Sequence, residues 1–200
     1  MYNRKDTFYT RAKVAGYRSR AAFKLQELVK KFRLLRPGDR VIDLGAWPGG
    51  WLQIALQHVG PRGRVVAVDV QNLDTLPAPN AVLVVGDVRD PQVQDRLLAA
   101  CEEAADVVLS DLAPKLTGVR ARDEAQAQEL VDCVLGFAQR ALKPGGHLIV
   151  KLFMSSAMPA QLAQLRSIFA QVRTTRPEAT RKGSAEIYAV ATEFRGTRPA

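Results

Sequence analysis

The chain has 200 residues, 47% hydrophobic and 24% charged, the balance of a single folded domain with room for a full core. Its formal net charge is +9, with the excess at the two ends, so a polyanion such as nucleic acid is the expected partner. No apolar stretch reaches the roughly 18 residues of a membrane span, and the basic N-terminus lacks the apolar run of a secretory signal; a cytoplasmic protein without membrane attachment is expected.

Residues 1–35 read as a basic, partly helical extension. Tyr2, Arg4, Lys5, Tyr9, Arg11, Lys13, Tyr17, Arg18 and Arg20 interleave cations with aromatic rings. Phosphate contacts and base stacking use that mixture, although a loosely docked, Arg-rich terminus would look the same. Ser19 is placed to cap a helix through Ala21, Ala22, Phe23, Leu25, Leu28, Val29 and Phe32, with Lys24 beside its apolar stripe. Pro37-Gly38-Asp39 makes a turn into the first strand, Val41-Ile42-Asp43-Leu44.

The turn that follows, Gly45-Ala46-Trp47-Pro48-Gly49-Gly50, leads into a helix from Trp51. Strand, glycine-rich turn and helix together bring backbone N–H groups up to a ligand. The glycine spacing is not that of a dinucleotide loop, and no Gly-Lys-Ser/Thr closes it as in a P-loop. The carboxylate of Asp43 would repel a pyrophosphate. It suits a ligand with a cationic amino-acid end, such as S-adenosylmethionine.

The next strands repeat one pattern. Arg64–Asp69, Ala81–Asp87 and Asp106–Asp111 are apolar runs that end in an acid at the carboxyl edge of the sheet, where open α/β folds bind ligands. Asp69 is suited to a ribose hydroxyl and Asp87 to an adenine amino group; each alone would also serve as a helix N-cap. Helices are expected over 91–104, from about Asp123 to Leu142, and over 159–170. Strands are expected over 147–153, 171–175 and 184–191. Lys151 interrupts the first of these. A lysine inside an apolar strand needs a carboxylate partner or a chemical task, and Asp111 on the neighbouring strand is within reach. Arg173, Arg176, Arg181 and Lys182 form a second basic patch, and Glu186 opens the last strand. The alternation implies an α/β fold, a doubly wound parallel sheet whose last two strands pair antiparallel. The two cysteines, Cys101 and Cys133, have no CxxC spacing, and His58 and His147 stand alone, so no metal site is expected.

Six segments carry a resemblance. They are Arg18-Ser19-Arg20-Ala21-Ala22-Phe23-Lys24-Leu25, Asp43 to Trp51, Gly86-Asp87-Val88-Arg89-Asp90, Ser110-Asp111-Leu112-Ala113-Pro114, Val150-Lys151-Leu152-Phe153 and Ser184-Ala185-Glu186-Ile187-Tyr188. With these in order from about Tyr17 to Ala191, the chain resembles the FtsJ/RrmJ-type ribose 2′-O-methyltransferases. The resemblance implies a Rossmann-like, class I S-adenosylmethionine-dependent methyltransferase fold: a seven-stranded, mostly parallel sheet with helices on both faces. It implies a Lys-Asp-Lys-Glu tetrad on Lys24, Asp111, Lys151 and Glu186. It also implies a donor site on Asp43, Gly45, Gly49, Trp51, Asp69, Asp87 and Asp111. The implied substrate is a uridine of large-subunit ribosomal RNA within the ribosomal subunit, methylated by a monomer; tRNA is the alternative substrate, and a non-catalytic RNA-binding relative the alternative role. Trp47 stands where the family usually has a small residue, and Lys115 where its bacterial ribosomal-RNA members often have Asn. Lys151 has two open roles: a neutral base that takes the hydroxyl proton, or a charged donor that steers the hydroxyl's lone pair.

Overall fold

The computed structural model describes residues 7–114, 117–181 and 183–196. Tyr2, Arg4, Lys5, Lys115 and Lys182, singled out above, lie outside the described residues. The chain runs α1 (Thr7–Val14), α2 (Ala21–Phe32), β1 (Arg40–Leu44), α3 (Gly50–Val59), β2 (Arg64–Asp69), β3 (Ala81–Val85) and α4 (Pro91–Cys101). It continues as β4 (Ala105–Ser110), α5 (Arg120–Ala141), β5 (Leu142–Phe153), α6 (Met158–Ile168), β6 (Phe169–Thr175) and β7 (Glu186–Phe194).

The strands form one seven-stranded sheet in the order β3-β2-β1-β4-β5-β7-β6. The pairs β3–β2, β2–β1, β1–β4 and β4–β5 are parallel, while β7 runs antiparallel to both β5 and β6. The chain leaves β5, crosses through α6 to the edge strand β6, and returns as β7 between them. Among the described residues no helix separates β6 from β7, and the return is antiparallel.

The central strands β1, β2 and β4 are largely apolar because both faces of the sheet are covered there, while the edge strand β6 is polar and exposed. Successive residues of β1 and β4 go to opposite cores: Val41 and Val107 pack with α2 and α3, and Ile42 and Val108 with α4 and α5. That alternation decides the site. Lys151 and Tyr188 are directly paired across β5 and β7, and Tyr188 lies in the α2/α3 core, so the Lys151 side chain emerges beneath α2.

Two local readings are corrected. Ser19 does not cap α2: its hydroxyl has no hydrogen-bond partner, Arg20 occupies the cap position, and a Cβ on Gly50 would come within 2.3 Å of Ser19 Oγ. Ser19 packs against the start of α3 instead. The fifth strand begins at Leu142, five residues before the expected start, because Leu142 already pairs with Ala105 of β4, with a register shift before His147. Among the described residues no helix is long and apolar enough to cross a membrane.

Candidate active site

The four tetrad residues come from four separate elements and meet at the carboxyl edge of the sheet. Asp111 follows β4 directly, and its amide donates to the Leu44 carbonyl of β1 (3.3 Å), which holds the start of the loop over the strand ends. Lys151 Nζ donates to the Asp111 main-chain carbonyl (2.6 Å) and lies 3.0 Å from Asp111 Oδ1. Lys24, from α2, is ion-paired with Glu186 at the start of β7. Both lysines are 8% exposed, and each meets the demand that a buried ammonium keep a carboxylate partner.

Tyr188 joins these two pairs, and the sequence reading gave it no role. Its hydroxyl donates to Asp111 Oδ1 (2.6 Å) and accepts from Lys24 Nζ (3.3 Å). The resulting chain runs Lys151, Asp111, Tyr188, Lys24, Glu186. Tyr188 is completely buried, with its ring beside that of Trp51 (centroids 5.7 Å apart) and under Lys24. Burial, followed by the charge of Asp111, pushes its phenol well above the ordinary value, so the hydroxyl keeps its proton. A signal for it existed. Tyr188 is two residues from Glu186 in a strand and so shares its face, and a buried tyrosine hydroxyl needs a partner.

A cavity of about 710 Å³ opens beside Asp111. Gly45, Asp69, Asp87 and Asp111 line it; Asp43, Gly49 and Trp51 do not. Gly45 sits at φ 80°, and a Cβ there would come within 2.7 Å of the Leu112 side chain, so the turn can pass Leu112 only as glycine. Both oxygens of Asp69 hold the surrounding backbone, accepting from the Trp47 amide (3.0 Å) and the Gln71 amide (2.9 Å). Asp87 accepts from the Arg89 amide and guanidinium, which hold its carboxyl below the usual range. Trp47, in the place of a small residue, is half exposed and forms part of the cavity wall.

Three expected donor residues are built into the scaffold. Trp51 is 3% exposed, and its indole N–H donates to the Ala21 carbonyl (2.9 Å), tying α3 to α2. Gly49 has φ 110° and lies under Arg18, whose guanidinium donates to the Asp74 and Thr75 carbonyls. Asp43 is fully buried, and neither carboxylate oxygen has a hydrogen-bond partner. Burial first, then the charges of Asp111 and Asp69, push its carboxyl up to about 8.

These features define a ligand. The volume is that of a small-molecule site. Asp69 and Asp111 line the cavity at the strand ends and favour a cationic group there, inside a protein that is otherwise strongly basic, while Asp43 behind them keeps its proton at neutral pH. A positively charged donor with an adenosine body fits this donor set; a pyrophosphate does not.

The profile of the FtsJ-like methyltransferases matches residues 17–194. The chain belongs to this family. Among its relatives, the ribosomal RNA large subunit methyltransferase E of Methanothermobacter thermautotrophicus is 44% identical over 193 residues, covering 96% of this chain and 92% of that one. Its counterpart in Paramagnetospirillum magneticum is 45% identical over 197 residues, covering 96% and 80%. Among solved structures, a Plasmodium falciparum protein described as a ribosomal RNA methyltransferase superposes with a TM-score of 0.79 at 28% identity, covering 90% of this chain and 100% of that one. Aeropyrum pernix fibrillarin, solved with natively bound S-adenosyl-L-methionine, shares the fold with a TM-score of 0.58 at 19% identity, covering 86% and 73%. The FtsJ-like chain described here is therefore a methyltransferase with a Rossmann-like sheet.

Proposed function

We propose that this FtsJ-like methyltransferase moves a methyl group from S-adenosylmethionine to a ribose 2′-hydroxyl of large-subunit ribosomal RNA. The observation that carries this reading is the joining of two buried lysine–carboxylate pairs through Tyr188, with Asp111 shared between that chain and the acid-lined cavity. When bound, the cofactor supplies an electrophilic methyl on a sulfonium. Relatives at 44% and 45% identity carry the name of a large-subunit ribosomal RNA methyltransferase, which supports that target.

Lys24, Asp111, Lys151 and Glu186 do the work at the hydroxyl. An ammonium has three N–H donors. Two of those on Lys151 are directed at Asp111, which leaves one for the 2′-oxygen. Held this way, Lys151 orients the hydroxyl so that a lone pair faces the cavity. As the new oxygen–carbon bond forms, the methyl–sulfur bond of the bound donor would break, its electron pair leaving on a neutral thioether, and the hydroxyl proton passes to solvent. Glu186 and Tyr188 fix Lys24, whose charge lies on the same face and offsets the negative charge that grows on the oxygen. Gly45, Asp69, Asp87 and Asp111 would hold the donor, with Asp43 packed behind the turn. The basic residues of α1 and of the 173–181 segment flank the site and would hold RNA. We place the reaction in the cytoplasm, on RNA of the large ribosomal subunit, with a monomeric enzyme.

A tritium-transfer assay with labelled donor and ribosomal RNA, followed by alkaline hydrolysis, tests this. Label retained in alkali-resistant dinucleotides is the expected result. Label on bases or on protein overturns the reading, and so does full activity in Lys151→Ala.

A further inference from the structure

We propose that the crevice between the end of α2 and the edge strand β6 is a docking site for one phosphodiester of the RNA substrate, outside the catalytic site. The inference rests on the RNA-methylating reading above and adds to it a second, fixed contact point.

The crevice measures about 180 Å³ and is lined by Lys31, Phe32, Arg33, Gln171, Arg173 and Thr192, together with Val190. It is smaller than a small-molecule pocket, so it takes a phosphate and not a whole nucleotide. Three of its residues are cations, and no carboxylate lines it. The guanidiniums of Arg33 and Arg173 have no ion-pair or hydrogen-bond partner among the described residues. Lys31 Nζ donates to Thr175 Oγ1 (3.0 Å) and keeps its charge unneutralised. The adjacent acid, Glu193, accepts from Gln171 Nε2 (3.1 Å).

Two ordinary explanations cover part of this. Lysines at the end of α2 complement the helix dipole, and charges on β6 protect an edge strand from pairing with other chains. Neither accounts for two unpaired guanidiniums facing one small crevice. Nor does either account for Arg33 itself, which terminates α2 at φ 53°, where glycine or asparagine is the usual residue. The helix ends on a long cation in an uncommon backbone state, and that side chain lines the crevice.

The register links the crevice to the catalytic residues. Thr175 is paired with Tyr188, Arg173 with Val190 and Gln171 with Thr192. Directly opposed residues share a face, so the crevice opens on the same face as Tyr188. It begins about 7 Å further along the sheet, at two residues of roughly 3.4 Å each. Arg173 lies about 7 Å along and two strands, about 10 Å, across from Lys151, with α2 packed over the sheet between them, so RNA with its ribose at Lys151 reaches the crevice around α2, with a phosphate more than one nucleotide away.

The test is the double variant Arg33→Gln/Arg173→Gln, which alters neither the tetrad nor the cavity. For wild type and variant, RNA binding is measured across a salt series, and donor binding is measured separately. The expected result is about a tenfold weaker RNA Kd at low salt and a salt slope smaller by about 0.7 to 1 unit, the loss of one phosphate contact. Donor Kd and melting temperature should be unchanged, and the loss in turnover should appear in the RNA KM. The charge-conserving pair Arg33→Lys/Arg173→Lys should retain the wild-type slope. An unchanged slope and Kd in the glutamine variant, beside a wild type that methylates RNA, overturns the docking site alone. Equal loss in the lysine pair overturns it too, since charge is then not the cause. Loss of binding to the intact ribosomal subunit with naked RNA unaffected places a protein in the crevice and also overturns it. A wild type that binds no RNA overturns both this site and the function it rests on.

Discussion

Tyr188 is where the two lysine–carboxylate pairs become one unit. Replacing it with phenylalanine keeps the ring between Trp51 and Lys24 but removes the hydroxyl that donates to Asp111 and accepts from Lys24. A hydrogen bond to a charged group is worth about 1.5 kcal/mol, which corresponds to roughly a tenfold lower kcat. Steady-state kinetics should show that loss with donor KM nearly unchanged, because Tyr188 does not line the cavity. Asp43 makes a different prediction. Its folded-state carboxyl is raised from 3.8 to about 8, so the folded state holds a proton that the unfolded state gives up in that range. The stability this contributes is full below about pH 4 and falls as pH rises toward 8. Asp43→Asn has no such proton. Thermal unfolding at several pH values should therefore show the variant gaining on wild type from pH 5 to pH 8, with the gap levelling off above 8.

At the scale of elements, α2 and α3 are positioned in part by Trp51, which the resemblance assigned to the donor. The Trp51 indole bond to the Ala21 carbonyl and the Ser19–Gly50 approach set α2 across the sheet, and α2 delivers Lys24. Trp51→Phe should cost about 1 kcal/mol of stability, the value of one net hydrogen bond, while leaving donor affinity close to wild type. Melting curves and donor titration separate the two effects. A large loss of donor affinity would put Trp51 back among the donor ligands. Gly45→Ala should do the opposite. Its Cβ meets Leu112 at the cavity wall and the backbone is left-handed, so the donor Kd should rise while the core of the sheet is spared.

Across the whole molecule, charge is divided by ligand. The chain carries +9 overall, yet acids collect at the ends of β1, β2 and β4, where the cavity lies. The cations lie around them, on α1, on α2 and along β6. The two substrates should therefore respond differently to salt. RNA affinity should fall steeply and log-linearly, as phosphate contacts release counterions, while donor affinity should change little. Parallel titrations at several salt concentrations read both slopes.

Much of this architecture was legible from residue pattern. Apolar runs ending in Asp69, Asp87 and Asp111 announced parallel strands with a ligand edge, because a strand covered on both faces has no polar side to hide the signal. Lys151 stood out because an ammonium in such a strand requires a partner. The short link between the last strands required an antiparallel return. Three things needed the tertiary structure. Sequence spacing could not show which strand β7 would pair with, and that pairing sets Tyr188 opposite Lys151. It could not separate a carboxylate or an indole that lines the cavity from one buried behind it, as with Asp69 against Asp43, since both follow the same strand-end rule. And it could not bring Arg33 to Arg173, because long-range register, not local propensity, decides which distant cations share one crevice.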